Sequence, residues 1–143
     1  MWTNRIQFLD RHPAEEMPVL MEAADTLVVH LKSAPMAHWV IPTKIFAYLS
    51  AGRPILMAMD GAGADLVRDS GAGIVISPED AAALAQGIRS LRDLPPDDRA
   101  AMGRRGREYL VSKYSKQTVL AEYEHKLRTV ARRADGPRDL VKT

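Results

Sequence analysis

The sequence predicts an α/β domain on a doubly wound parallel sheet, followed by two extra helices. Short unbroken apolar runs, TLVVHL at Thr26–Leu31, PILM at Pro54–Met57 and GAGIVI at Gly71–Ile76, read as core strands of a parallel sheet. Helix-periodic stretches with short connections separate them through the first ~90 residues, the pattern of successive βα units. Caps and turn residues fall where each helix must begin or stop.

Ile6–Leu9 (IQFL) is a β-prone run. HPAEEMP then opens a helix over Pro18–Ala24, with prolines and acids where a first turn accepts them. After the Thr26–Leu31 strand and the loop KSAPMAHW, Pro42 suits a first helical position, and Ile45, Phe46, Leu49 and Ser50 share one face. Gly52 is the expected C-cap, and Pro54–Met57 the next strand. Gly61–Gly63 form a turn, Ala64–Ser70 a short helix and Gly71–Ile76 the third strand. Ser77-Pro78-Glu79-Asp80 reads as an N-cap with Pro at the first position, before a stripe of Ala81, Leu84, Ala85, Ile88 and Leu91. LPPDD reads as a loop and Arg99–Lys113 as a basic helix. Ser115 caps a last helix carrying Val119, Leu120, Tyr123, Leu127, Val130 and Ala131 on one side. Residues 1–133 form the predicted domain and 134–143 a flexible tail.

With 143 residues and 46% apolar content, one compact domain is the expectation. The chain has no cysteine, which excludes disulfides, thiolate metal sites and a thiol nucleophile and fits a cytoplasmic location. No window has the roughly 18 apolar residues of a spanning helix, and MWTNRIQF lacks a signal-peptide core. Charge is uneven: residues 1–88 hold 6 Lys/Arg against 10 Asp/Glu, whereas 89–143 hold 14 against 8. A basic C-terminal segment suits anionic lipid, and so a peripheral position at the inner face of a membrane, as well as an ordinary solvated helix face. Aromatics are not interleaved with the arginines, so nucleic acid is not an expected partner.

Ligands of such sheets bind beyond the carboxyl ends of the strands, here segments 31–43, 58–64 and 76–79. A helix starting at Pro42 offers the N–H groups of Thr43, Lys44 and Ile45 at the positive end of its dipole. That is a plausible diphosphate seat, or simply a well-formed helix start. Gly61 and Gly63 permit close backbone approach to a ligand or merely a tight turn. His38 on the preceding loop could meet a substrate, though a lone histidine is more often incidental. The strand end argues against a phosphoacceptor receiver domain, since TLVVHL finishes in His30 and Leu31 where the acceptor would be Asp.

From Ile6 to Tyr123 the chain resembles the C-terminal, donor-binding half of family 4 glycosyltransferases of the two-domain GT-B fold, particularly bacterial ones making surface polysaccharides. VIPTKIFAYLSAGRPIL at 40–56 looks like the family's "Val-Pro-Ser-Lys-Leu-(Phe/Tyr)-x-Tyr-Met-Ala-Ala-Gly-(Lys/Arg)-Pro" signature. IQFLDRHPAEEMPVLMEAADTLVVHLK before it looks like the family's strand, "Pro-x-x-x-Met-Pro" and Ala-Ala-Asp turn. DGAGADLVRDSGAGIVISPEDAAALAQGI after it keeps the Gly-x-Gly strand start and the Pro-Glu/Gly-Asp helix start.

The resemblance implies a retaining, metal-independent transferase without a cofactor, using a nucleoside-diphosphate sugar whose diphosphate sits at Pro42, Thr43, Lys44 and Ile45. The donor sugar would face His38, Trp39, Gly61, Ala62 and Gly63. Ala47 and Trp39 occupy positions where many relatives bind ribose and donor sugar with carboxylates, and Ala62 stands where relatives often have Glu. Relatives also carry an acceptor domain and two earlier strand–helix units bearing an Arg and a Lys that neutralise the leaving diphosphate. The expectation is therefore a Rossmann-like half of the GT-B fold, incomplete at its N-terminal side, and an N-terminally truncated enzyme, inactive as this chain alone. Its partners would be a nucleotide sugar and either an N-terminal glycosyltransferase domain or a second copy. The alternative is a noncatalytic remnant serving as an interaction or dimerisation module.

Overall fold

A computed structural model describes residues 6–134. Strands β1 (Leu27–His30), β2 (Ile55–Ala58) and β3 (Gly73–Ile76) form a parallel sheet in that order. Leu27 lies opposite Ile55, and Ile55 opposite Gly73. Around them run α1 (Met17–Ala23), α2 (Lys44–Ala51), α3 (Ala62–Ser70), α4 (Ala81–Asp93), α5 (Pro96–Tyr114) and α6 (Lys116–Ala134), with 3-10 turns at Ala14–Glu16 and Pro35–His38. The α/β doubly wound expectation holds. Sequential parallel strands need crossovers of one hand, which set α2 and α3 on the same face. There Val29, Ile55 and Met57 of the sheet pack with Ile45, Leu49 and Val67 as the main core, and α5 lies across both helices. On the opposite face α4 packs on β3 and β2.

β2, central and covered on both sides, is buried throughout. β1 departs from the expected double burial: Leu27 and Val29 are buried, but Val28 and His30 face solvent. The reason is geometric, since α4 covers β2 and β3 and leaves the same face of β1 open. The IQFL run forms no strand, and Ile6, Phe8 and Leu9 are exposed. A β-prone run becomes a strand only where a neighbour completes its ladder.

Helix starts differ from expectation in five places. The helix expected from Pro42 begins at Lys44 with Thr43 as its cap, and Pro42 lies outside it, its carbonyl accepting the Ile45 N–H in the tight turn before the helix. Met17–Ala23 begins just before Pro18, preceded by the 3-10 turn. α3 starts at Ala62, ahead of the expected Ala64. LPPDD is no loop, because Pro96, Asp97 and Asp98 make the first turn of α5, where a missing N–H costs nothing and acids meet the dipole. In Ser77–Asp80 the cap is Asp80, whose carboxylate accepts the Ala83 N–H at 2.8 Å, and Pro78 stays outside α4. Replacing Asp80 with Ala should lower stability by about 1 kcal/mol in urea unfolding, and an unchanged midpoint would show the cap to be idle. Ser115 caps α6 as expected, accepting the Thr118 N–H at 3.2 Å.

Part of the basic segment is structural. Arg99 donates to the carbonyls of Arg92 and Leu94 at 2.9 and 2.6 Å, closing the end of α4. Arg105 donates to the Gly71 carbonyl at 3.3 Å beyond α3. Outside that segment, Arg53 reaches the Glu22 carbonyl at the end of α1. No described helix is long and apolar enough to cross a membrane. Of the expected 134–143 tail, Ala134 ends α6 and the remainder lies outside the described residues.

Candidate functional site

Because all three strands run the same way, their carboxyl ends open on one edge, and three loops meet there. The Leu31 N–H donates to the Ala58 carbonyl at 3.1 Å, so the first loop leaves β1 still tied to β2. The Ser33 N–H donates to Glu79 Oε2 at 3.1 Å, joining the first loop to the third. The second loop touches the first at Gly61, where an added Cβ would lie 2.3 Å from the His38 Cα and 2.6 Å from its carbonyl oxygen.

The start of α2 sits on this edge. Thr43 is the cap residue and Lys44 the first helical one, both exposed, while Ile45 is fully buried and anchors the turn in the core. The first turn is tight: the Ile45 N–H donates to the Pro42 carbonyl at 3.0 Å, and the Phe46 N–H to the Thr43 carbonyl at 3.2 Å. This corrects the count of donors at the helix mouth, since the Ile45 amide is committed by a local turn, which leaves those of Thr43 and Lys44. Ser50, placed on the buried face by spacing, is exposed. Gly52 ends the helix in the left-handed conformation, its N–H bonded to the Leu49 carbonyl at 3.1 Å.

The two glycines at 61 and 63 have separate jobs. Gly61 has φ +80° and ψ −155° and lets the His38 backbone pass. Gly63 is buried inside α3, with space for a side chain closed by Met59 Sδ at 2.9 Å and Ile45 Cδ1 at 3.1 Å. It is a packing glycine and not a place where a ligand reaches backbone. Ala62 opens α3 beside it. Trp39, 87% exposed, and Met36 form an apolar rim on the loop that carries His38.

Residue reading missed Glu79 and Ser33. Glu79 has φ +58°, a left-handed conformation uncommon outside glycine, and its carboxylate holds the first loop by the Ser33 N–H. The Glu/Gly alternation in the Pro-Glu/Gly-Asp pattern was the available signal, because a position that takes Gly is one that suits positive φ.

Thr43, Lys44, Met36 and Trp39 on this edge are all exposed. A cleft of about 490 Å³ lies elsewhere, on the uncovered face of β1 toward its amino end, lined by Asp25, Thr26, Val28, Ile88, Leu91, Arg92 and Arg99. Among the described residues no group of three His, Asp or Glu is placed to hold a metal ion.

A parallel βα sheet with a helix mouth, a lysine and a glycine-shaped loop at its carboxyl edge defines a Rossmann-like unit, whose ligands in general lie at that edge. The family model described as glycosyl transferases group 1 matches residues 2–93, and the chain belongs to that family. The match spans the three-stranded sheet and α1–α4, so α5 and α6 lie beyond it. No curated protein and no solved structure gives a significant match. The domain is therefore one for glycosyl transfer, on the GT-B type of Rossmann-like half.

Proposed function

We propose that this chain is the donor-side domain of a family 4 enzyme that moves a sugar from a nucleoside-diphosphate sugar to an acceptor in surface polysaccharide or glycoconjugate synthesis. The observation that carries the reading is the family match together with exposed Thr43 and Lys44 at the mouth of α2, on the ligand edge of the sheet. Two amides, the helix dipole and the Lys44 ammonium supply positive charge for a diphosphate. Stabilising the leaving nucleoside diphosphate as the glycosidic bond breaks requires more than this, along with a water-poor cleft. An open edge calls for a second wall, which an N-terminal acceptor domain or partner chain would provide. Among the described residues no strand pairs with the outer edge of β1, and additional strand–helix structure fits there and on its uncovered face. Such an enzyme would work in the cytoplasm, without a metal.

Titration calorimetry with UDP, GDP and their sugar conjugates tests the reading. Binding should survive chelation of divalent cations, and Lys44→Ala should weaken it by roughly tenfold to a hundredfold, the worth of one charge-assisted contact. No heat with any nucleotide, with or without an added acceptor-domain partner, would remove the proposal. A noncatalytic interaction module is the second reading, favoured by Ala47 and Trp39 standing where a ribose and sugar carboxylate are expected. A tight oligomer with no nucleotide affinity would establish that one.

A further inference from the structure

The loop after β1 has few anchors of its own. Leu31 at its start and Ile41 near its end pack against the main core, but every described side chain from 32 to 40 is exposed. Among the described residues, a single hydrogen bond leaves this stretch for another part of the chain, from the Ser33 N–H to Glu79 Oε2 at 3.1 Å. A second constraint is steric, where the His38 backbone passes Gly61. The same loop carries His38 and Trp39 to the mouth of α2. Its place on the ligand edge therefore depends on Glu79.

Glu79 is held in an unfavourable way. Among the described residues it alone combines a side chain with a positive φ, +58°, a region that glycine enters freely and glutamate does not. The helix that follows does not ask for this carboxylate, since α4 is capped by Asp80, which accepts the Ala83 N–H at 2.8 Å. Nor is the backbone bent to bury the side chain, because Glu79 is exposed. The two adjacent acids thus divide the work: Asp80 serves α4, and Glu79 serves a loop 46 positions away. Strain that one change to glycine would remove, at the residue that makes the bond to the donor-side loop, points to that bond as what the glutamate supplies.

We propose that Glu79 is a positioning residue of the donor site, fixing the 32–40 loop so that His38 and Trp39 meet the donor while Thr43 and Lys44 hold its diphosphate. This role presupposes the donor reading of the α2 mouth and adds to it a residue that acts through Ser33. A loop free to wander must be ordered when ligand binds, and that ordering is subtracted from affinity. A loop tied down beforehand avoids the loss.

Two variants of the whole chain test the role, Glu79→Gly and Glu79→Gln. The measurements are the urea midpoint, amide exchange at Ser33 by NMR, and titration calorimetry with UDP, GDP and their sugar conjugates. Glu79→Gly removes the acceptor and relieves the backbone, so the midpoint should hold or rise while Ser33 exchanges faster. Nucleotide affinity should then fall by roughly threefold to tenfold, the worth of one exposed bond to a charged acceptor. Glu79→Gln keeps an acceptor oxygen at the same reach and should return affinity to within about twofold of the parent. Weaker binding in a protein no less stable is a combination that damage to the fold does not produce.

A lower midpoint in Glu79→Gly overturns the proposal, since the side chain would then be supporting the fold. Unchanged exchange at Ser33 overturns it too. So does Glu79→Gln binding as weakly as Glu79→Gly, which would assign the carboxylate's charge to the ligand itself. A parent that binds no nucleotide removes the donor reading and this role with it, whereas a parent that binds, matched in affinity by Glu79→Gly, removes the role alone.

Discussion

An alanine at position 103 should lower stability by about 3 kcal/mol or more. Gly103 lies in the middle of α5, and a Cβ there would stand 1.9 Å from the Gly52 carbonyl oxygen and 2.5 Å from its carbon. The obstacle is backbone and has no rotamer through which to withdraw. Gly52 is itself fixed, since its left-handed conformation closes α2 and leads directly into β2. Relief therefore requires lifting α5 from α2. One turn along, Gly106 repeats the close approach, where a Cβ would meet the Ala72 Cβ at 2.7 Å and Leu49 Cδ2 at 3.0 Å. These two glycines seat α5 over the core, and the helix also brings Tyr109 and Leu110 against it. Overpacking usually costs 1–3 kcal/mol, and backbone-on-backbone contact belongs at or above the top of that range. That is a large share of the roughly 5–15 kcal/mol a domain possesses. Urea unfolding of Gly103→Ala beside Gly106→Ala is the measurement. Gly106→Ala should lose less, because one of its obstacles is the end of a leucine. A Gly103→Ala midpoint close to the parent's would mean that α5 does not sit on the Gly52 turn.

What the sequence discloses follows from how local each cause is. β2 and α2 are readable because their signals sit within the element: an unbroken apolar run, a proline before the first turn, a glycine after the last. IQFL carries the same local signal and forms no strand, because a ladder needs a neighbour that propensity cannot supply. β1 has the composition of a fully buried strand, yet Val28 is 44% exposed. Its burial depends on which strands α4 happens to cover. LPPDD reads as a break because two prolines suggest one, whereas Pro96 takes the first position of α5, where a proline fits.

The candidate site divides along the same line. Thr43 and Lys44 stand exposed at a helix mouth as their spacing suggests, because caps are local. The Ile45 amide is used up by a turn to Pro42, a detail of backbone geometry that composition does not reveal. Gly61 and Gly63 look equivalent in sequence. One faces a neighbouring loop and the other the core, which only the packing of α3 against Ile45 and Met59 distinguishes. The Ser33–Glu79 contact spans 46 positions and has no local signature, since the residue held at positive φ is a glutamate, a type that does not announce that conformation.

Gly61→Ala should separate the site from the fold most sharply. With φ +80° and ψ −155°, Gly61 occupies a region essentially closed to other residues, so any side chain is strained before it touches anything. The new methyl would then meet the His38 Cα at 2.3 Å, again backbone. α3 cannot easily yield, since its Gly63, Ala64 and Val67 are locked in the core. The yielding part is the 35–38 turn, which is exposed and leads through Trp39 into the mouth of α2. Stability should fall by about 2–3 kcal/mol from strain and partial relief of the clash. If the diphosphate sits at Thr43 and Lys44, nucleotide affinity should fall as well, by roughly tenfold or more, since a loop displaced by an ångström no longer presents its contacts together. Gly63→Ala is the natural comparison, for it disturbs Met59 and Ile45 from inside and should lower stability with a smaller effect on affinity. The two readings then part cleanly in one pair of titrations. Equal affinity in Gly61→Ala and the parent, with stability lost, would take the His38–Trp39 loop out of the donor site and leave Gly61 a purely structural hinge between two βα units.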